Sequence, residues 1–453
     1  MFRMGDVRLR IIQGVMGACL ERWATVLVVV ICLVSAVHGE EDAASRPNGY
    51  TLDRCVDIGL RRSAQAMQAR LDRRMANATI VQARSLALPE FRVDADYRRL
   101  DELDEFDVNG SSVEIGSLDN YSVDASVSQL LWSGGKATAA IRAGRAEWQR
   151  ASWREAQVYA GLVRDIRNGF YGLLLADARV DVRREESRHF KALLEQTREK
   201  FEQGAAAEFD VLSAEVRLTN SRPRVIAAEN ARAVAAEEFK RFVGIDDPHF
   251  APRGTLDFAA WDADLDALLA AAKEHRPEVK EMQSVAALRN ADLAAARSGR
   301  WPELRAGFHY NGAYPYGFSV GEDSDWEWHW TATLTLGWSL WDGGLTGGKA
   351  DEKELQRRKT AVAYGDLLRS IELEVRRAYL DMRHARQTVE AARGGVGLAE
   401  RTLRIARSRH EAGLATQLEF ADAAVGLSRA RLNLAEAIHG HARAVEDLRY
   451  ASG

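Results

Sequence analysis

Leu131-Trp-Ser-Gly-Gly135 and Leu340-Trp-Asp-Gly-Gly344 are one short stretch written twice, 209 residues apart. The same shift carries Gly204 onto Gly413, Asp210 onto Glu419, Ala214 onto Ala423, Leu218 onto Leu427 and Gly244 onto Gly453. Upstream, Leu88-Pro89-Glu90-Phe91 matches Trp301-Pro302-Glu303-Leu304 at a shift of 213. Self-similarity at a fixed spacing marks a duplicated unit. Each half then reads helix, strand, strand, long helix, turn, return helix. The boundaries that follow are a first repeat over 40–244, an equatorial linker over 245–276 and a second repeat over 277–453.

Outward from the Gly-Gly pairs lie the longest periodic segments of the chain. From Tyr364 and Leu368 to Leu403 and Ala406, apolar residues recur with alternating spacings of four and three, passing through Ile371, Val375, Met382 and Val389. That is a coiled-coil seam, and its alanines let a partner helix approach closely. Shifted back by 209, the seam reads Tyr159, Leu162, Ile166, Gly169, Leu173, Ala176, Val180, Phe190, Leu194 and Phe201, with Arg183 and Ser187 as interruptions. Between Gly135 and Gly204 a helix would run roughly 105 Å. Only 8 prolines serve 453 residues, none of them between Pro89 and Pro223 or after Pro315, so such helices are permitted. Pro223 is expected to kink or interrupt the first return helix.

Four segments alternate instead with period two. Phe91, Val93, Ala95 and Tyr97 interleave with Arg92, Asp94, Asp96 and Arg98; Tyr121, Val123, Ala125 and Val127 interleave with Ser122, Asp124, Ser126 and Ser128. Leu304 to Asn311 and Trp330 to Leu340 repeat the pattern. Strands of about ten residues, apolar on one face and polar on the other, fit a transmembrane β-barrel with lipid outside and water inside. Trp132, Trp330, Trp338 and Trp341 are the candidates for its interfacial aromatic girdles. A soluble two-sided sheet over a core is the competing reading. In hydrocarbon every backbone polar group needs a partner, so a barrel must close, and about eight strands are the practical minimum. Four strands per chain therefore call for several copies, and a trimer with twelve strands is the simplest solution.

Composition narrows the classes further. With 46% apolar and 28% charged residues the chain is neither a disordered tail nor a bundle of transmembrane helices. Lys plus Arg total 62 against 66 for Asp plus Glu, a net charge of -4, which offers no support for nucleic-acid binding. Cys19, Cys32 and Cys55 cannot build a disulfide framework or a cysteine-rich metal site. Arg3, Arg8, Arg10 and Arg22 precede the apolar run Ala24 to Ala36, which reads as an export signal over 1–39 with cleavage near Gly39. A retained N-terminal anchor is the other reading of that segment.

In this order and spacing, the signal, the two halves, the Leu-Trp-Ser/Asp-Gly-Gly turns and the motifs Phe201-Glu-Gln-Gly204 and His410-Glu-Ala-Gly413-Leu-Ala-Thr-Gln-Leu-Glu419 resemble the TolC-type outer membrane efflux proteins. Leu268 to Glu278 is similar to the opening of that family's second half. The resemblance implies an α+β membrane protein: a homotrimeric twelve-stranded barrel in outer membrane lipid, continuous with an α-helical coiled-coil barrel in the periplasm. It implies passive conduction of substrates handed over by an inner membrane pump and a periplasmic adaptor, in efflux or type I secretion, with no cofactor and no catalysis. It places Gly204 and Gly413 at the periplasmic tip, with Gly204, Ala412, Gly413 and Leu414 as adaptor-docking positions. It places an acidic gate ring at Glu419 and Asp422, at i and i+3 on one helix face, with Asp210 in the first turn. Three copies would set six carboxylates in a constriction as an electrostatic filter. The plainer reading is a solvated helix start, where acids are favoured. The family's closing lock needs an Arg and a Tyr where this chain has Ala415 and His410, so that lock cannot form here as described.

Two patterns point elsewhere and fail. Gly343-Gly-Leu-Thr-Gly-Gly348-Lys349 opens like a P-loop, but Ala350 stands where a hydroxyl must follow. His439 and His441 sit close together without ligand spacing. No nucleophile motif gives an enzyme a site. The serious alternative function is a periplasmic coiled-coil adaptor or scaffold without a barrel, which accounts for the long helices but not for four amphipathic strands.

Overall fold

The computed structural model describes residues 49–108, 111–115, 117–314 and 326–453. The expected export signal, with Cys19 and Cys32, lies outside the described residues. Two short helices come first, α1 (Leu52–Arg62) and α2 (Ala64–Ser85), parted at Ser63, whose hydroxyl accepts from the Ala66 amide at 3.3 Å and caps the second. Strands β1 (Glu90–Arg99), β2 (Asp104–Val108), β3 (Ser111–Ile115) and β4 (Asp119–Trp132) follow, then helix α3 (Lys136–Glu202) and its return α4 (Glu208–Val243). The second half runs α5 (Leu265–His275), α6 (Pro277–Ser298), β5 (Glu303–Tyr314), β6 (Glu327–Gly337), α7 (Leu345–Glu411) and α8 (Gln417–Ser452). Helices α3 and α7 each have 67 residues, about 100 Å of helix, and α4 and α8 each have 36. No described helix is long and apolar enough to cross a membrane.

The thirteen seam positions expected in α7 are all buried or half-buried, with Val375 and Val389 fully so. In α3, Leu162, Ile166, Leu173, Val180, Phe190 and Leu194 are buried as the period requires. Phe201 is the exception: it is exposed, because the chain turns away at Gly204 one residue after the helix and its cap. The stretch 245–276, read as a linker, contains α5. Pro223 does not interrupt α4, which is continuous through it. The turn is held on both sides of the ring. Ser221 donates to Ser187 Oγ at 2.9 Å and Arg224 bonds Glu186 at 2.9 Å, so α3 supplies the contacts that offset the missing N–H.

Four strands form one antiparallel sheet in the order β1-β4-β5-β6, while β2 and β3 pair separately as a ribbon that the period-two pattern did not reveal. The register aligns the alternation of all four strands. Phe91, Val127, Phe308 and Ala332 form one row, Val93, Ala125, Tyr310 and Trp330 the next, all on one face. The intervening rows, such as Arg92, Ser126, His309 and Thr331, make the other face mainly polar, with Leu130 and Ala313 also on it. Gly312 leaves the space that the Trp328 ring fills, since a Cβ there would meet it at 2.6 Å. Every residue of β1 and β6 is exposed, and among the described residues nothing pairs with their outer edges.

Strand β6 begins three residues before the expected Trp330 and ends before the expected Leu340. Its partner explains this. Gly337 pairs with Glu303, and the next residue on β5 is Pro302, which has no N–H to extend the ladder. Trp338 and Trp341 therefore belong to the connection after the sheet, not to the strand.

Candidate functional site

The two helix turns are the point where both halves meet far from the sheet. Each is closed by a glycine at φ +71°, Gly204 and Gly413, a conformation other residues rarely adopt. Ala205 N donates to Lys200 O at 2.7 Å and Leu414 N to Arg409 O at 2.7 Å, so each glycine sits in the same reversed helix end. The identical shift of 209 thus yields identical turns. Ala412, Gly413 and Gly204 are exposed, and Leu414 is 70% exposed at the apex.

The three expected gate acids lie at the starts of the return helices. Glu419 is tied to its own helix: its carboxylate accepts from the Thr416 amide at 3.4 Å, while its amide donates to Thr416 Oγ1 at 3.3 Å. Asp210 does the same in the first half, accepting from Ala207 N at 3.2 Å. Asp422 is exposed one turn beyond Glu419. Within one chain Glu419 and Asp422 share a helix face, and Asp210 stands on the other turn.

What joins the turns is a set of groups that the motifs did not point to. Lys200 Nζ donates to the His410 carbonyl at 2.8 Å, and Gln417 Nε2 donates to Thr197 Oγ1 at 3.0 Å. His410, at the position of the family's Tyr, is buried with its ring against Phe420 at 6.0 Å. Burial, and then the charge of Lys200, hold its pKa below the ordinary value. Farther along, Arg431 bridges Glu185 and Glu400. Glu186, 2% exposed, receives Arg183 at 2.7 Å, Arg224 at 2.9 Å and Ser428 at 2.9 Å. The legible signal for this polar layer was the pair of seam interruptions at Arg183 and Ser187. Around it, Leu193, Leu194, Leu403, Phe420 and Leu427 form a core shared by both hairpins.

At the opposite end, the sheet carries aromatic rows. Tyr97, Tyr121, Tyr314 and Trp326 follow one another across the far end, with ring centroids 5.0, 6.2 and 6.0 Å apart. Trp132 meets Trp301 edge-on at 6.4 Å at the helical end. Trp330 lies between the two levels, opposite Tyr310. From Tyr121 to Trp132 the strand extends about 36 Å along its own axis. The P-loop-like turn is already filled, since the Asp342 carboxylate accepts from Gly344 N at 3.1 Å and Thr346 N at 2.8 Å, the amides a phosphate would need.

The profile of a family described as outer membrane efflux protein matches residues 57–244 and 268–453. The outer membrane protein TolC of Vibrio cholerae is 23% identical over 413 residues, covering 86% of this chain and 87% of that one. Protein CyaE of Bordetella pertussis is 30% identical over 181 residues, which span 40% of this chain and 37% of that relative. The CmeC outer membrane channel of Campylobacter jejuni superposes with a TM-score of 0.73 at 17% identity, covering 89% of this chain and 85% of that one.

Proposed function

This chain belongs to the outer membrane efflux protein family, and on that premise we propose that three copies of it form an exit duct through the outer membrane. The protein is located in the outer membrane, with its helical part in the periplasm, and its family is one of channels, not of enzymes. In the proposed trimer, β6 of one copy pairs with β1 of the next, closing twelve strands around a lumen lined by the polar face. The observation that carries this reading is the sheet itself: one face apolar except for Arg99, Asp119 and Gln129 near its ends, two edges unpaired among the described residues, and helices of about 100 Å leading away from it. Two tandem repeats, 40–244 and 277–453, joined through 245–276, supply the strands two by two and the long hairpins that continue the wall.

Substrates would arrive from an inner membrane pump through a periplasmic adaptor, and would pass without energy input by this chain. The adaptor would dock at the exposed tips, on Gly204 and on Ala412, Gly413 and Leu414. Glu419 and Asp422, with Asp210 beside them, would ring the tip and favour cations. In place of the family's Arg and Tyr lock, the Lys200–His410 and Thr197–Gln417 bonds would hold the tip closed. Trp132, Trp338 and Trp341 would mark the lipid interface at the helical end, while Trp330 would lie within the apolar band.

Single-channel recording in planar bilayers tests the reading. The expected result is a cation-selective pore whose selectivity falls in the Glu419→Ala/Asp422→Ala variant. Unchanged selectivity removes the acidic ring, and a mature protein that stays a water-soluble monomer without detergent removes the duct.

A further inference from the structure

The two halves make the same contact at the junction of sheet and helix, but with different chemistry. In the first, Gln129 Nε2 donates to the Ala87 carbonyl at 3.1 Å. In the second, Trp338 Nε1 donates to the Arg300 carbonyl at 3.2 Å. These are equivalent positions by the shifts of 209 and 213. Glutamine suffices for the bond, so the indole is not required to join strand to helix. The neighbouring positions differ in the same sense. Ala87 and Leu88 become Arg300 and Trp301, and Ala140 becomes Lys349.

The substituted groups lie at one junction, together with Arg297, which the first half keeps as Arg84. A Cβ on Gly299 would lie 3.1 Å from Thr346 Oγ1, which sets the end of α6 against the first turn of α7. Arg300 follows Gly299, Arg297 lies one turn back, and Lys349 lies one turn beyond Thr346. Arg297, Arg300 and Lys349 are exposed and have no ion pair or side-chain hydrogen bond among the described residues. The nearby carboxylate of Asp342 is spent on the amides of Gly344 and Thr346. Glu303, on the strand, is paired with Arg305 at 2.9 Å. Trp301 and Trp338 are both more than half exposed beside the cations. On the first-half side, Lys136 and Arg84 are exposed as well, and Trp301 reaches across to Gly134 and Trp132 there, but Gln129 stands in the place of Trp338. Lys136 borders a crevice with Glu90 and Glu303 on the polar face of the sheet.

We propose that Arg297, Arg300 and Lys349, with the indoles of Trp301 and Trp338, bind the headgroup of an anionic phospholipid in the leaflet facing the periplasm. The assignment rests on the reading of the apolar sheet face as the lipid-facing surface. Exposed indoles suit the level where acyl chains meet headgroups, and cations just beyond them suit a phosphodiester. Three exposed cations without a carboxylate partner among the described residues, set beside that surface, are complementary to a negative headgroup.

The test titrates the detergent-solubilised trimer with phosphatidylglycerol and, separately, phosphatidylcholine, and counts bound lipid by native mass spectrometry. The expected result is a preference for phosphatidylglycerol of about tenfold or more, which drops to near unity in the Arg297→Gln/Arg300→Gln/Lys349→Gln variant. Trp338→Gln keeps the strand–helix bond in its first-half form and is expected to weaken both lipids alike. The proposal is overturned if the triple variant keeps the preference, if Arg84→Gln/Lys136→Gln abolishes it equally, or if inorganic phosphate displaces the lipid at equal concentration. Helical circular dichroism and pore conductance of the variants separate these outcomes from misfolding. Normal conductance without lipid preference sinks this site alone, whereas a chain that never enters a bilayer sinks the duct as well.

Discussion

The carboxylate of Glu186 on α3 accepts from the hydroxyl of Ser428 on α8 at 2.9 Å, inside a core that excludes solvent from both. One acid thereby ties the first hairpin to the second, because Arg224 of α4 and Arg183 of α3 converge on the same group. The two arginines are only partly covered, so they can turn to water when the acid is removed. Glu186→Ala is therefore expected to destabilise the helical region by about 1–3 kcal/mol, below the cost of orphaning a fully buried charge, and Glu186→Gln by less. Denaturant unfolding followed at 222 nm reads the difference; equal losses in the two variants would show that the charge is irrelevant.

The tip bonds are open to the same kind of test. Lys200→Met with Gln417→Ala removes both direct links between the turns at Lys200–His410 and Gln417–Thr197. The expected outcome is a higher open probability in bilayer recordings with little change in thermal stability, because each bond contributes about 1 kcal/mol. A tip that stays shut in this variant places the closing contacts elsewhere.

Cys55 is fully buried at the base of α1 among Leu162, Ile166 and Val243, and burial pushes its thiol up to about 11. The thiolate is the reactive form. The native protein is expected to resist iodoacetamide at pH 8 and to react only after unfolding. Rapid labelling of the native state would contradict the packing of α1 on α3.

Two buried histidines, His410 and His441, and two half-buried ones, His189 and His439, make stability depend on pH. Burial holds His189, His410, His439 and His441 below the ordinary value of 6.5. The unfolded chain then binds protons near 6.5 that the folded chain refuses until lower pH. Their contribution is complete above 6.5 and is lost as pH falls through 6.5 toward the folded values. The melting temperature of the helical region is expected to be flat from pH 7 to 8 and to fall between 6.5 and 5. His441→Leu, which keeps an apolar contact beside Phe258, is expected to shallow that slope. A slope unaltered by this change would assign the effect to the other groups.

Arg276 marks the limit of pattern reading. In the sequence it is one charged residue before Pro277; in the structure it is 4% exposed, bonded to Glu278 and to Glu374 at 2.6 Å, with the Tyr450 ring 5.7 Å away. Nothing in its neighbours along the chain predicts a partner 98 residues later.

The periodic features were legible because backbone geometry prints its own repeat on the residues. A seam spaced four and three follows the turn of a helix, alternation follows the pleat of a strand, and a duplicated turn repeats its glycine because the positive φ leaves few substitutes. From these alone come the long helices, the amphipathic strands, their order and the two tips. Register, the β2–β3 ribbon, the unbroken passage through Pro223, the Glu186 layer and the Trp338–Arg300 contact came only with tertiary structure. Each depends on which distant side chains meet, and contact between elements leaves no period in either one. Where a polar residue interrupts an apolar seam, the interruption can be read from the chain, but the partner that makes it tolerable is decided by packing.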